Sequence, residues 1–278
     1  MTELSLWLKA SDVAAAIGKN RWKSRDDIIH RYKFNQHKDY FDRSERESLK
    51  KEVDVKELTE KIVQAKKRFI ECEHIDEPTK KKLCTNLDKA IEIQTPLRKV
   101  EALASAISES ITENDSSLEP REAIIRDLDM GKQVEKQVVA NMNKRVGTVR
   151  EESVRVAVEK DKQMPVRKTN DLMTKVLSFN LKSGQQVKMK LCGRVDGKMQ
   201  DGTLIEIKNR MKKMYYRIWP NEEIQSMVYM FLTKATRAIV IEAFGSERHE
   251  SHLEFCDEKW EDIRDGLREY AEQYVLYK

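Results

Sequence analysis

Cysteine is scarce in this sequence, and long apolar runs are missing from it. Its four cysteines, Cys72, Cys84, Cys192 and Cys256, are scattered over 278 residues, which fits reduced thiols inside a cell. No uninterrupted apolar run approaches the roughly 20 residues that a bilayer-spanning helix needs. The first residues, MTELSLWLKASD, lack the basic segment and the following apolar segment of a secretory signal. We therefore expect a soluble protein that works inside a cell and not in a membrane.

A strong charge of one sign and a clear zinc motif are missing as well. The 53 basic residues nearly balance the 48 acidic residues, and a net charge of +5 neither demands nor excludes a nucleic acid partner. Cys72, His74 and Cys84 are the only grouping that suggests zinc, but they lie in a charged helical stretch without CxxC spacing. We therefore expect no zinc site, and local clusters of charge have to indicate the partner.

The first part of the chain is predicted to be helical. Residues 5–34 favour two short helices around a turn, with Ser11 as the N-cap of the first helix and Gly18 at its end. Residues 45–118 contain no glycine, are rich in Lys, Glu and Ala, and are interrupted by two prolines. Their apolar residues recur with helical spacing. We interpret residues 45–118 as an all-helical insertion of two or three helices.

The rest of the chain alternates between helical and strand patterns. A stronger helix is expected to begin at Pro120 and to run through GKQVEKQVVANMNKR, and from Val149 the apolar period changes to two. The strands predicted after that point are VRVAV, VLSFNL, VKMKLCGRVDG and TLIEIK. Pro220 opens an amphipathic helix, RAIVIEAFG and SHLEFCD follow as strands, and WEDIRDGLREYAEQYVLY closes the chain as a helix. This order predicts an α/β core with a mixed sheet.

The hairpin GRVDG…TLIEIK carries a group of polar side chains. Because side chains alternate along a strand, Glu206 and Lys208 share one face while Ile205 and Ile207 enter the core on the other. Asp196 lies at the far end of a tight connection, and a twisted hairpin can bring it close to Glu206. Two converging carboxylates make a hard-oxygen site that suits Mg²⁺ or Mn²⁺. The bare spacing also arises by accident in a chain that is 36% charged, so the hairpin context supports this hypothesis more than the spacing does.

Four motifs follow one another along the chain. They are LKASDVAAAIG near the N-terminus, GKQVEKQVV in a helix, GRVDG…LIEIK in a hairpin, and Gln225 in the following helix. In this order the sequence resembles the lambda-exonuclease-like (YqaJ-type viral recombinase) branch of the PD-(D/E)xK nucleases. The resemblance covers residues 1–35 and 120–245 and is strongest at 190–210.

The resemblance implies a fold and a domain organisation. The fold is of the α/β class, with a restriction-endonuclease-like core in which helices flank a mixed central sheet, plus an all-helical N-terminal insertion. The expected division is into an N-terminal helical part of the nuclease domain at 1–44, the helical insertion at 45–118, and the nuclease core at 119–278.

The resemblance also implies ligands for a metal ion, Mg²⁺, for which Mn²⁺ can substitute. In such enzymes a helix before the sheet supplies a glutamate, and Glu135 in GKQVE matches it, although an exposed helix glutamate is the alternative interpretation. Asp196 and Glu206 match the central ligands, and the main-chain carbonyl of Ile207 is a further one. Phosphodiester hydrolysis needs a nucleophilic hydroxide and a stabilised leaving oxyanion, and metal ions supply both.

Three more residues acquire roles from the same resemblance. Lys208 matches a lysine that positions or deprotonates the attacking water, and a lysine near metal ions can have a depressed pKa. Gln225 matches a glutamine that steadies the lysine or the water, the alternative being a polar residue beside the apolar face of its helix. Ser11 matches a serine that holds a 5′-phosphate with a basic residue upstream, here Lys9, and its alternative role is the N-cap.

A run of basic and aromatic residues without an acid, KNRMKKMYYRIW, follows the strand of Glu206 and Lys208. Basic groups contact phosphates while aromatic rings stack unpaired bases. The alternative is a solvated loop with a few rings packed below. The residues expected to bind nucleic acid are Ser11 and, in this run, Arg210, Lys212, Lys213, Tyr215, Tyr216 and Arg217.

These features predict a metal-dependent nuclease, foremost a DNA exonuclease of viral or phage recombination or genome maintenance, in the cytoplasm or the nucleus of a host cell if viral. The alternatives are an endonuclease on DNA or RNA, a non-catalytic nucleic-acid-binding module, and a scaffold in which residues 45–118 are the working part. Its expected partners are nucleic acid, further copies of the chain in a ring-shaped trimer, and a single-strand-binding or annealing protein.

Overall fold

A computed structural model describes residues 4–34, 43–112, 118–169, 171–210 and 213–277 of the chain. The chain divides into two compact units. The sheet unit contains residues Met1–Asp39 and Glu151–Lys278, and the helical unit contains residues Tyr40–Arg150. The domain boundaries expected from the sequence stay predictions.

The elements follow one another from a strand to a closing helix. The first part of the chain forms β1 (Leu4–Lys9), α1 (Ala10–Ala16), α2 (Arg25–Lys33), α3 (Arg43–Glu52), α4 (Val55–Glu71), α5 (Glu77–Glu92), α6 (Pro96–Glu109), α7 (Glu119–Asp127) and α8 (Lys132–Lys162). The second part forms β2 (Val166–Arg167), β3 (Met173–Asn180), β4 (Gln186–Gly193), β5 (Gly197–Met199), β6 (Leu204–Asn209), α9 (Pro220–Thr233), β7 (Arg237–Phe244), β8 (Glu247–Glu254) and α10 (Asp257–Leu276). No helix among the described residues is both long enough and apolar enough to cross a membrane.

The strands of the sheet unit form two mixed sheets. In the three-stranded sheet, of order β1-β4-β3, β1 is parallel and β3 antiparallel to β4. In the five-stranded sheet, of order β2-β5-β6-β7-β8, only β6 and β7 are parallel. The chain leaves the first sheet at Gly193 and enters the second at Gly197. The predicted fold class, α/β with mixed sheets flanked by helices, is confirmed.

Strand β6 separates two apolar cores. Leu204 belongs to the core that strands β1 and β4 form with helices α1, α2, α9 and α10. Ile205 and Ile207 face the other way and pack against Val154 and Val158 of α8. Burying one such side chain contributes roughly 1.5–3 kcal/mol, so the strand is fixed in register from both sides. Glu206 lies on the face of Leu204 and is therefore held at a defined position.

The helical unit packs α3 to α7 and the first part of α8. Its described residues in 43–109 form four helices and not the expected two or three. The break that the sequence analysis missed lies before α4, where Asp54 accepts from the main-chain N–H groups of Lys56 and Glu57. An aspartate cap divides the stretch there without a proline or glycine. The next break, at the cap Asp76 of α5, is the one that Pro78 marks. A buried ammonium, Lys99, donates to the last carbonyls of α5 and satisfies them.

The first residues form a strand where the sequence suggested only helices. Leu6 and Leu8 alternate into the core, and β1 pairs with the whole of β4. Helix α1 begins two residues earlier than the predicted cap at Ser11 implies, and its N-cap is Lys9, with no side-chain cap bond. Ser11 lies inside the helix, so its assignment as the N-cap is wrong. Gly18 does end the helix, with the positive φ of 73° that glycine tolerates.

The segment VRVAV is helical, and its assignment as a strand is wrong. Helix α8 continues to Lys162, and Val154 and Val158 lie one turn apart on its buried face. Apolar residues at every second position also include a pair four apart, so the pattern fits both periods. The helix expected from Pro120 is itself interrupted between α7 and α8, where Asp129 and Gly131 have positive φ.

Candidate active site

Two carboxylates and an ammonium meet at β6, the middle strand of the five-stranded sheet. Glu206 is buried, with 5% of its surface exposed. Nζ of Lys208 donates to Oε1 of Glu206 over 2.7 Å. Oδ2 of Asp196 accepts from the main-chain N–H of Ile207 over 2.7 Å, which fixes Asp196 beside the strand that carries the other two. The structure thus brings together three side chains that the hairpin pattern singled out.

Helix α9 adds a glutamine to this group. Oε1 of Gln225 accepts from Nζ of Lys208 over 3.1 Å, and its Nε2 donates to the hydroxyl of Tyr229 over 3.0 Å. Tyr229 lies one turn further along α9 and is buried. A Cβ atom on Gly193 would lie 2.4 Å from Cε1 of Tyr229, so only glycine leaves room for this ring. The ammonium is therefore held from two sides, by Glu206 and by Gln225.

Glu151 of α8 is a further acid at this site, and the sequence analysis missed it. Burial and the charge of Glu206 raise the pKa of Glu151, and Lys208 acts against them. The charge of Glu151 in turn raises the pKa of Asp196. The charge of Glu151 thus acts on the same group of carboxylates. The signal in the sequence was the pair Glu151 and Glu152 just before VRVAV, which matters only once the helix is extended past Val149.

The site holds more negative than positive charge. Burial raises the pKa of Asp196 to about 6 and that of Glu206 to about 7, although Lys208 acts to lower both. Burial alone would lower the pKa of Lys208, but Glu206 and Asp196 raise it overall. Burial is the main cause of both raised pKa values, and a neighbouring acid adds to each of them, Glu151 for Asp196 and Asp196 for Glu206. The depressed lysine pKa considered for Lys208 is therefore not a property of the metal-free site.

The donor set fits a hard divalent cation. Oε2 of Glu206 is buried and has no hydrogen-bond partner among the described residues. A buried acceptor without a partner destabilises the fold unless a cation or a hydrogen-bond donor occupies the space beside it. Within the described part of the chain no group of three or more Asp, Glu, His or Cys residues stands in the arrangement of a complete metal site. Mg²⁺ is commonly held by one or two carboxylates with several waters, and Asp196 and Glu206 can supply these.

The roles of three further predicted site groups stay predictions. Glu135 lies in the first turn of α8, in the helical unit, and its role as a metal ligand stays a prediction. The carbonyl of Ile207 belongs to the strand that carries Glu206, and its role stays a prediction too. Ser11 is exposed on α1, and contact with a 5′-phosphate stays a prediction.

Arg210 does not have the free guanidinium expected of a phosphate-binding residue. It donates to Glu242 over 2.6 Å and to both oxygens of Glu222 over 2.7 and 3.1 Å. Glu242 also accepts from the main-chain N–H groups of Tyr215 and Tyr216 over 2.9 and 2.7 Å. Both carboxylates hold the guanidinium of Arg210, and Glu242 also holds the loop that follows. The role of Arg210 in binding nucleic acid stays a prediction.

The rest of the basic and aromatic run reaches the surface. Lys213, Tyr215, Tyr216 and Arg217 are exposed, and the ammonium of Lys213 lies 5.7 Å from the centre of the Tyr215 ring. Lys212 lies outside the described residues. Binding of nucleic acid by these residues stays a prediction.

Comparisons with known proteins give distant similarities. No protein-family model matches the sequence. No curated protein matches it either. Among solved structures, an alkaline exonuclease from Laribacter hongkongensis is similar, with 15% identity and a TM-score of 0.38 over 62% of this chain and 87% of that chain. A phage-related exonuclease from Haemophilus somnus is similar at 11% identity and a TM-score of 0.35, over 46% of this chain and 70% of that one. Values this low transfer neither a function nor a residue's role to this chain.

Proposed function

We propose that this chain is a metal-dependent nuclease of the PD-(D/E)xK class, that Asp196 and Glu206 hold its metal ion, and that Glu151 is a further acid beside them. The observation that supports the proposal most is the buried Oε2 of Glu206, which has no hydrogen-bond partner among the described residues and lies beside Asp196 and Glu151. Mg²⁺ or Mn²⁺ bound there would act as a Lewis acid and lower the pKa of a bound water. The donors are all oxygens, which suits these hard cations better than zinc or copper.

The remaining site residues have roles that their contacts suggest. Lys208 points its ammonium at the carboxylates and is placed to bind the attacking water or the scissile phosphate. Gln225 orients that ammonium, and Tyr229 orients Gln225 in turn, since each bond fixes the next. Lys208 is thus a catalytic residue in this proposal, whereas Gln225 and Tyr229 are positioning residues.

The proposed substrate is DNA and the proposed activity is that of an exonuclease. Both rest on the resemblance of the motifs around Ser11, Asp196, Glu206, Lys208 and Gln225 to those of lambda-exonuclease-like enzymes. A ring-shaped trimer and a single-strand-binding or annealing protein as a partner stay predictions.

The assay that tests this proposal compares four substrates in the presence of Mg²⁺. An end-labelled linear duplex should be degraded from its ends, a nicked circle more slowly, and an RNA of the same sequence not at all. EDTA should stop the reaction. Cutting of a covalently closed circle would show an endonuclease, and absence of hydrolysis with either Mg²⁺ or Mn²⁺ would contradict the proposal.

A pair of glutamate substitutions tests which acid of α8 belongs to the site. Glu151→Gln should weaken Mg²⁺ binding and slow cleavage by at least about 10- to 100-fold, the range for groups next to a metal ion. Glu135→Gln, on the same helix, is the comparison variant, and losses in Glu151→Gln alone would identify Glu151 as the acid of α8 at the site. Calorimetric titration with Mn²⁺ and a time course of cleavage measure the two effects. The reverse pattern would restore Glu135 as the ligand and remove Glu151.

Ser11 provides a further test, because the structure removes its role as a cap. Ser11→Ala should change the free energy of unfolding by no more than about 0.5 kcal/mol, as expected for an exposed helix position. If Ser11 and Lys9 hold a 5′-phosphate, a 5′-phosphorylated duplex should be cut faster than its 5′-hydroxyl twin, and the substitution should reduce this ratio. Equal rates on both duplexes with the unmodified protein would contradict the role.

A further inference from the structure

Two loops of the sheet unit bring tryptophans and arginines together at the surface. The rings of Trp22, after α1, and Trp219, before α9, lie edge to face with centres 6.0 Å apart. The guanidinium of Arg21 lies 4.2 Å from the centre of the Trp22 ring and 4.6 Å from that of Trp219. Arg217 lies 3.8 Å from the Trp219 ring. We call Arg21, Trp22, Arg217 and Trp219 the tryptophan–arginine platform.

The two arginines of the platform have no acidic partner in the part of the chain that the structure describes. No carboxylate of the described residues lies within ion-pair distance of Arg21 or Arg217, and both are exposed. Arg210, only a few residues away in sequence, is paired with two glutamates. Because acids and bases are nearly balanced in the whole chain, 48 against 53, two neighbouring unpaired guanidinium groups form a local excess of positive charge.

We propose that the platform binds unpaired nucleotides of a nucleic acid strand next to the active site. The proposal extends the nuclease function and rests on it for the identity of the partner. A guanidinium that stacks on a ring still has its N–H donors free at its edge, where they can bind phosphate oxygens bidentately. Trp22 is 58% exposed, so its ring can stack a base.

Charge and ring chemistry together favour a single strand over other partners. A duplex offers its phosphates but buries the faces of its bases, so it cannot use the exposed rings. An apolar peptide could use the rings but not the two unpaired guanidinium groups. An unpaired strand alternates phosphates with base faces and can use both. This kind of contact is tolerant of sequence, because every base has a π-face.

Both loops are held in place before a strand arrives. Oδ1 of Asn20 accepts from the main-chain N–H groups of Trp22 and Lys23 over 2.9 and 3.1 Å. The N–H of Trp219 donates to Glu222 over 3.2 Å. Binding to such a surface loses less conformational entropy than binding to a mobile loop.

The platform is connected directly to the catalytic group. Trp219 is the N-cap of α9, and Gln225 follows in the second turn of that helix, roughly 9 Å further along the axis. Gln225 in turn contacts Lys208. A strand that stacks on the platform is therefore a few nucleotides away from Glu206, which suits an enzyme that holds one separated strand while cutting it.

The test measures binding without catalysis. A fluorescent single-stranded DNA oligonucleotide is titrated in EDTA at several salt concentrations, and its anisotropy gives the Kd. Trp22→Ala should weaken binding by about 5- to 100-fold, the range for losing one stacked base, and leave the salt dependence unchanged. Arg21→Ala should weaken binding and reduce the log–log salt slope by about 0.7, the value for one single-strand phosphate contact.

Matched substitutions elsewhere control for general effects. Phe34→Ala removes an exposed ring outside the platform, and Arg268→Ala removes an exposed positive charge from α10. Both should bind the oligonucleotide like the unmodified protein. Arg21→Lys keeps the charge but loses the planar guanidinium, so it should retain the salt slope and still bind more weakly. Thermal melts establish that each variant is folded.

The results separate this proposal from the nuclease function. If the unmodified protein does not bind the oligonucleotide, or if Trp22→Ala and Arg21→Ala both bind within twofold of it, the platform is not a strand-binding surface. An equal loss of affinity for a blunt duplex would also overturn the proposal, because it would show backbone contact alone. Binding that depends on the platform, in a protein that never cleaves DNA, would support the platform and contradict the nuclease.

Discussion

Asp196→Asn is expected to abolish Mg²⁺-dependent cleavage and to stabilise the metal-free protein at pH 8. Asparagine has the same shape and can still accept from the N–H of Ile207, so the local structure should survive. The substitution removes one anionic oxygen pair from the proposed metal site, and with it the charge that holds a hard cation. Activity and stability should therefore change in opposite directions.

The direction of the stability effect follows from the pKa of Asp196. Burial raises this pKa from 3.8 to about 6 in the folded protein. An acid whose pKa is higher in the folded protein than in the unfolded chain stabilises the fold fully below its unfolded-state pKa. This stability is lost as the pH rises through the folded-state pKa. The metal-free protein thus loses on the order of 2 kcal/mol between about pH 4 and pH 6, and Asp196→Asn does not. Its melting temperature should exceed that of the unmodified protein at pH 8 by several degrees, and the difference should vanish near pH 4.

Asp201→Asn in the same hairpin is the matched control. Hydrogen bonds from Thr203 lower the pKa of Asp201, which is the opposite shift. Its replacement should therefore cost a little stability at pH 8 and leave cleavage intact. Melting curves in EDTA at pH 4, 6 and 8 and a cleavage assay measure these effects. Retained cleavage by Asp196→Asn would remove Asp196 from the site, and a lower melting temperature at pH 8 would contradict its unfavourable burial as a charged group.

The hairpin of the candidate site could be predicted because its physics is local. Alternation along a strand assigns Glu206 and Lys208 to one face and two isoleucines to the other without knowledge of the rest of the fold. The turn QDG then joins β5, which follows Asp196, to β6, which pairs with it antiparallel. Pro220 marks the start of α9 in the same way, since proline fits the first turn of a helix.

The missed features depend on partners that are distant in sequence. Strand β1 is a strand because β4, more than 180 residues later, pairs with it. VRVAV is a helix because the five-stranded sheet offers a surface that takes Val154 and Val158 one turn apart. That choice of period also decided whether Glu151 could be recognised as a site residue. The sequence pattern indicated that Arg210 is a basic surface residue. Only the folded chain shows the two glutamates that accept from it.

Lys208→Ala is expected to reduce cleavage by about 10²- to 10⁴-fold, the range for a group that acts directly on a transferred proton. Affinity for Mg²⁺ should be retained or increased, because Lys208 occupies Oε1 of Glu206 as a competing cation. Gln225 loses its partner, but its bond to Tyr229 keeps it in place. Calorimetry with Mn²⁺ and single-turnover cleavage rates separate the effect on metal binding from the effect on chemistry.

Lys208→Arg shows whether the charge or the transferable proton of Lys208 matters. In the metal-free site Glu206 and Asp196 raise the pKa of Lys208, so its ammonium is fully protonated at neutral pH. If the ammonium stabilises negative charge on the phosphate, the arginine, which is always charged, can partly replace it. Lys208→Arg should then cleave about tenfold faster than Lys208→Ala. If Lys208 instead removes a proton from water, arginine cannot replace it, and both variants should be equally inactive at every pH. Loss of metal binding in Lys208→Ala would contradict either role and leave Lys208 as a structural partner of Glu206.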